Sequence, residues 1–224
     1  MSERILKALM QLFAIVANVG EDNPLGREFV KFFLKQQLNQ ELVNKYTLVF
    51  DEFVEQQTKR KGGTKARKRT SVNSVKVLVI CTQINKELTQ KQKIFVLIKL
   101  LEFIHIDKNT INQAFEFTDT VADTFNIEKE EYLKCKQFIE SGVEQTIDSE
   151  NLLIVTSLPK RDDLKIKHIH SPGLDGKLRI LFVKSVRMLF VKYLGKSELQ
   201  LNSQIILPHK VYILNQGSAL RGSK

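Results

Sequence analysis

The chain has 224 residues, 42% of them hydrophobic, and a formal net charge of +10. This supports a core for one large or two small domains. No stretch approaches the roughly 18 uninterrupted apolar residues that argue for a membrane-spanning helix. Residues 1–150 carry 22 Lys/Arg against 21 Asp/Glu, and residues 151–224 carry 13 against 4. Seven cations of the first part form one run, Lys59, Arg60, Lys61, Lys65, Arg67, Lys68 and Arg69. The expected organisation is therefore an acidic body, a basic linker and a basic tail.

From residue 4 to about 141 apolar residues recur every three or four positions, which predicts seven helices over 4–18, 25–38, 40–56, 71–87, 89–104, 111–125 and 128–141. The amino-terminal stretch is amphipathic through Ile5, Leu9, Phe13 and Val16, so it reads as the first helix of a domain and not as a signal peptide. Pro24 suits the first turn of the second helix, Ser71 can cap the fourth, and Thr89 with Gln92 forms a capping-box pattern for the fifth. Residues 58–70 hold two glycines, the seven cations and no large apolar residue, so a mobile loop is expected there. Cys81 and Cys135 fall within helical patterns without metal-ligand spacing, as reduced cytosolic thiols would.

Two stretches 88 residues apart repeat one unit. Leu9, Phe13, Val16, Glu28 and Phe29 align with Leu97, Leu101, Ile104, Glu116 and Phe117. In each copy an apolar helix runs into a polar bend, and the next helix carries a glutamate near its start. Acids converging at such bends can hold Ca²⁺ or Mg²⁺, which prefer oxygen ligands. The candidates are Glu21, Asp22, Glu28, Asp107 and Glu116. The competing reading is structural, with Asp107 and Asn109 capping a helix and the glutamates favouring its positive end. The loop from Asp107 is not an EF-hand, because Asn112 and Thr118 stand where that motif needs glycine and glutamate.

Beyond about residue 150 the apolar period changes to two. Leu164–His168, Leu178–Val183, Met188–Leu194, Glu198–Leu201 and Val211–Leu214 read as strands, with Ser171-Pro172-Gly173, Asp175-Gly176, Gly195, Asn202-Ser203 and Pro208 as turns. Five or six short strands predict an antiparallel meander or a partial β-sandwich. Asn215–Lys224 reads as a turn leading into a further strand that the chain does not contain, so a fragment of a longer protein is expected. Gly217 and Gly222-Ser223-Lys224 nearly spell a phosphate-binding loop, but lysine and serine are exchanged and no helix follows. His168 and His170 share one face of a strand without a third ligand nearby in sequence, and read as ordinary strand residues.

The seven-helix pattern with Leu12-Phe13-Ala14-Ile15-Val16-Ala17 before one bend, and Leu100-Leu101-Glu102-Phe103-Ile104 before Asp107, resembles the TerB family of tellurite-resistance-associated domains. That family has Asp-Gly at each bend and a glutamate about seven residues on. Here Lys108 replaces the glycine after Asp107, and Ala114 occupies the position seven on. The β region, through Gly176–Ser185, Tyr193-Leu194-Gly195, Glu198–Asn202 and Tyr212-Ile213-Leu214, resembles the forkhead-associated-like segment that follows a TerB-like domain in long bacterial ABC-transporter-type ATPases. The phosphothreonine-binding pattern of forkhead-associated domains is not found in it.

The expected fold class is α+β in two domains, a seven-helix TerB-like bundle over 1–145 and an incomplete β domain over 151–224. The resemblance implies a non-catalytic cytoplasmic regulatory or docking module of an ABC-type ATPase, with any ATP site beyond residue 224. Its partners would be the rest of that ATPase or a membrane-associated complex, with self-association through the open β edge. One alternative is a stress protein binding Ca or Mg through the five acids. The other is a module meeting nucleic acid or an anionic surface through residues 59–69. The run holds no Tyr, Phe or Trp to stack on bases, which disfavours single-strand binding.

Overall fold

The computed structural model describes residues 3–17, 24–36, 38–59, 66–106, 112–142, 149–159 and 165–222. Among these, seven helices precede eight strands: α1 Glu3–Ala17, α2 Pro24–Lys35, α3 Gln40–Lys59, α4 Ala66–Asn85, α5 Gln90–Ile106, α6 Asn112–Thr124 and α7 Lys129–Glu140, then β1 Leu152–Thr156, β2 Lys167–His170, β3 Lys177–Val183, β4 Met188–Leu194, β5 Leu199–Leu201, β6 Gln204–Ile206, β7 Val211–Leu214 and β8 Leu220–Gly222. The α+β layout expected from periodicity is present. The chain divides into two compact units, Met1–Tyr132 and Leu133–Lys224. The division falls inside α7, where the sequence placed it near residue 145.

In the helical unit the repeat is visible as burial. Leu9, Leu97, Phe13, Leu101, Val16, Ile104, Phe29 and Phe117 are all buried, and Glu28 and Glu116 are both exposed. Adding 88 to the bounds of α1 and α2 lands within a residue of α5 and α6, and the start of α3 lands one residue before α7. The repeat therefore extends to a third helix, and α4 stands between the copies without a counterpart. The copies meet through phenylalanines. Phe13 of α1 lies 5.4 Å from Phe33 of α2 and 5.3 Å from Phe103 of α5, while Phe29 lies 5.5 Å from Phe103. Edge-to-face rings at this spacing add about 0.5–1.5 kcal/mol per pair beyond area burial.

The helix ends follow their local chemistry. The Thr89–Gln92 capping box forms, with the Thr89 N–H donating to Gln92 Oε1 (2.9 Å) and the Gln92 N–H to Thr89 Oγ1 (3.4 Å). Asn126 ends the α6 turn in the left-handed region (φ 52°), and the Ile127 N–H reaches back to the Ala122 carbonyl at 3.0 Å. Ser71 does not cap α4, which already begins at Ala66. The loop expected over 58–70 is overturned at both ends, since α3 runs to Lys59 and Ala66 to Thr70 is helical, and residues 60–65 lie outside the described residues. Ala, Arg and Lys are among the best helix formers, and both glycines precede Ala66, so nothing interrupts the helix there.

The β unit holds a five-stranded sheet in the order β2-β1-β3-β4-β7 and a three-stranded sheet in the order β6-β5-β8. The sheets share one core, with Leu178, Ile180, Val191 and Tyr193 from the first against Leu199, Leu201 and Ile206 from the second. This is the sandwich arrangement, with one departure from the antiparallel expectation. β1 and β2 run parallel, and the segment after β2 then passes over the end of β1 to enter β3 on its other side. Thr156, at the end of β1, accepts from the Ser171 N–H (2.9 Å) and donates its hydroxyl to the Gly176 carbonyl (3.2 Å), which ties that crossing down. β8 supplies the strand expected to be missing after residue 215, pairing with β5 from Leu201↔Leu220 to Leu199↔Gly222.

Candidate functional site

Three of the five candidate metal ligands, Glu21, Asp22 and Asp107, lie outside the described residues. Glu28 is exposed on α2, 3.5 Å from Lys31 Nζ one turn on, and Glu116 is exposed on α6. Among the described residues no group of three or more His, Cys, Asp or Glu side chains gathers as a metal would require. Of the basic run, Arg60, Lys61 and Lys65 lie outside the described residues, Lys59 is the last residue of α3, and Arg67, Lys68 and Arg69 lie in the first turns of α4. His168 and His170 sit on β2 at the margin of the five-stranded sheet, opposite Ile154 and Thr156.

Ion pairs staple the helices to one another. The Arg27 guanidinium grips Asp51 through Nε (2.9 and 3.0 Å) and Nη2 (2.8 Å), joining α2 to α3. Lys45 on α3 reaches Glu3 on α1 at 2.6 Å, and Arg4 lies 3.5 Å from Glu87. The first two pairings favour the charged forms, holding the Glu3 carboxyl below and the Arg27 guanidinium above their ordinary ranges. The Lys45–Glu3 pair is solvent-exposed and contributes little stability, whereas the Arg27–Asp51 pair is part-buried and two-armed, the geometry in which such pairs contribute more.

The charges that the sequence did not single out are buried. Lys99 and Glu102 form a pair on α5 at 2.9 Å, with side chains 1% and 5% exposed. Lys99 Nζ also stands 5.7 Å from the centre of the Phe95 ring. In the β unit, Arg179 of β3 and Lys192 of β4 face each other across the ladder, 1% and 4% exposed. Strand alternation turns them away from the face carrying Leu178, Ile180, Val191 and Tyr193. Arg179 Nη1 donates to the Ser141 hydroxyl (2.8 Å) and carbonyl (3.2 Å), and Lys192 Nζ to the carbonyls of Ile139 (2.6 Å) and Ser141 (3.5 Å). Both cations thus sit at the carboxyl end of α7, where the last carbonyls of a helix lack partners and the dipole is negative. Burial lowers the pKa of Arg179, although a guanidinium stays charged at any ordinary pH.

At the other end of the sheet, the Asp175 carboxylate accepts from the Lys196 and Ser197 N–H groups at 2.9 and 3.0 Å and from the Ser197 hydroxyl at 3.3 Å. Its carbonyl accepts from the Tyr193 hydroxyl at 2.9 Å. Gly195 lies inside this knot: a Cβ there would come 2.3 Å from both the Asp175 carbonyl oxygen and the Tyr193 hydroxyl. The knot joins the turns before β3 and after β4, an arrangement that holds loop geometry and contains no nucleophile–base pair.

Among the described residues no helix is long and apolar enough to cross a membrane. No protein-family profile, curated protein or solved structure matches the chain.

Proposed function

We propose that the chain is a regulatory or docking module of an ABC-type ATPase system, acting in the cytoplasm and catalysing no reaction of its own. The observation that supports this reading is the order of parts: a helical repeat of three-helix units, then a two-sheet β unit. This is the order in which TerB-like and forkhead-associated-like segments precede an ATP-binding cassette. The ordered turns of the β unit, braced by Asp175 and by Asn202, suit a surface that recognises a partner. The partner would be the cassette protein itself or a membrane-associated complex around it.

Two measurements test the proposal. The reading frame after the Lys224 codon, or a neighbouring gene, should encode an ATP-binding cassette, and the purified chain should hydrolyse no ATP with Mg²⁺. Residues 1–224 should change the ATP turnover of that cassette protein when added or deleted. Hydrolysis by the chain itself, or a cassette indifferent to its presence, would overturn the reading. The same preparation decides the stress-protein alternative, since a rise in melting temperature at millimolar Ca²⁺ or Mg²⁺ would favour metal binding through the acidic bends.

A further inference from the structure

The helix without a counterpart in the repeat also has an unusual surface. One side of α4 is core: Val77, Ile80, Cys81 and Ile84 are buried. The opposite side is apolar as well, yet it faces solvent. Val75, Leu78 and Val79, spaced i, i+3 and i+4, are 59%, 48% and 51% exposed. Thr82 continues the stripe one turn on, and its hydroxyl is turned back to the Leu78 carbonyl at 2.7 Å. Scattered exposed apolar residues are ordinary, whereas a contiguous stripe on one helix face marks a contact surface.

Charge identifies what makes the contact. No Asp or Glu occurs between Glu55 and Glu87, a span that holds nine Lys or Arg. Arg67, Lys68 and Arg69 lie in the first turns of α4, and exposed Lys86 follows its last residue. We propose that this outward face of α4 is a landing surface for an anionic lipid bilayer, with the Val75–Leu78–Val79 stripe entering the headgroup boundary and the cations meeting lipid phosphates and carboxylates. The sequence of α4 sets Arg67, Lys68, Arg69 and Lys76 beside this apolar stripe, and a cluster of four to eight cations has the composition that binds anionic lipid. A second copy of the chain fits poorly, because it would bring two acid-free, cation-rich stretches of sequence together. A protein groove is less favoured, since Val, Leu and Thr are not the aromatic and Arg anchors that concentrate binding energy at protein interfaces. The inference does not depend on the ATPase assignment.

The test is sedimentation of the full chain with phosphatidylcholine vesicles, with and without phosphatidylserine. The chain should sediment with the anionic vesicles only, and added salt should release it. The triple change Val75→Ser, Leu78→Ser, Val79→Ser and the separate triple change Arg67→Gln, Lys68→Gln, Arg69→Gln should each weaken binding roughly tenfold or more. Both should leave the melting temperature nearly unchanged, because the apolar triple is exposed and Gln is a good helix former. Equal binding to neutral vesicles, no binding to either, or full binding by the serine variant would overturn the proposal. So would duplex DNA binding that the serine variant retains while vesicle binding is absent, which would assign the cations to nucleic acid. A concentration-dependent dimer abolished by the serine variant would assign the stripe to self-association.

Discussion

Arg179 and Lys192 are two buried cations directly opposite each other in an antiparallel ladder, and both donate to the carbonyl oxygen of Ser141. Like charges in that position repel. The carboxyl end of α7 offsets the repulsion by presenting carbonyls to both, so the helix end and the strand pair stabilise one another. Lys192→Met should lower the unfolding free energy of the β unit by about 1–3 kcal/mol, the range for stranding a buried acceptor. Urea denaturation followed by a β-unit probe measures it. A loss within a few tenths of a kcal/mol would show that the Ile139 and Ser141 carbonyls find other partners.

The hairpin between β5 and β6 turns on Asn202 and Ser203, both with positive φ (50° and 65°), and Leu201 pairs with Gln204 across it. This is the two-residue turn that favours Asn-Gly. Asn202 is further fixed by accepting from the Ala219 N–H at 2.9 Å. Ser203 has a side chain where glycine fits without strain, so Ser203→Gly should stabilise the β unit by roughly 0.5–1 kcal/mol. An unchanged or lower thermal midpoint would mean that the serine loses less in this conformation than glycine loses in chain entropy.

Those two sites show what the sequence could and could not reveal. Asn202-Ser203 was legible as a turn because left-handed backbone depends on local residue type. The helical repeat was legible because Leu9, Phe13, Leu97 and Leu101 follow the helical period that their burial requires. β1 was missed: Leu152-Leu153-Ile154-Val155 is a continuous apolar run without alternation, which periodicity alone does not assign. Arg179 and Lys192 carry no sequence signal of burial, since charged members of an alternating strand ordinarily face solvent. Their burial depends on α7 ending against that face, a tertiary fact with no local signature. The start of α4 was placed late because a run of cations without large apolar residues resembles a loop by composition while having good helix propensity.

The buried Lys99–Glu102 pair should behave unlike the surface pairs. Lys99→Met removes one partner and leaves a carboxylate 5% exposed, which should cost about 3–5 kcal/mol. Changing Glu102→Leu in the same background should recover most of that loss, because two apolar side chains can replace a buried pair at small cost. A double-mutant cycle on thermal or urea unfolding reads both values. Additive losses would show that the two charges do not depend on each other.

Asp175 supplies a pH dependence with a defined sign. Backbone N–H groups of Lys196 and Ser197 hold its carboxyl below the ordinary value of 3.8. A carboxyl depressed by folding adds stability that is complete above that value and is lost as pH falls through the folded pKa. Asp175→Ala should therefore be less stable than the parent at neutral pH, and the gap should close as the pH drops below 3.8. A gap that stays constant down to acid denaturation would place the effect in packing around Gly195 instead of in the carboxylate.

Cys81 lies on the core side of α4, and burial pushes its thiol up to about 12. The thiolate is the reactive form, so at pH 8 it is scarce as well as shielded. Cys135 is buried too, on the α7 segment that carries the Arg179 and Lys192 contacts. Neither thiol should react with an aromatic disulfide reagent in the native protein, and both should react at once in urea. Intermediate urea separates them: each thiol should appear with the opening of its own unit. Lys192→Met should therefore bring Cys135 forward to lower urea while leaving Cys81 in place. Simultaneous labelling in both proteins would show that the helical and β units unfold as one.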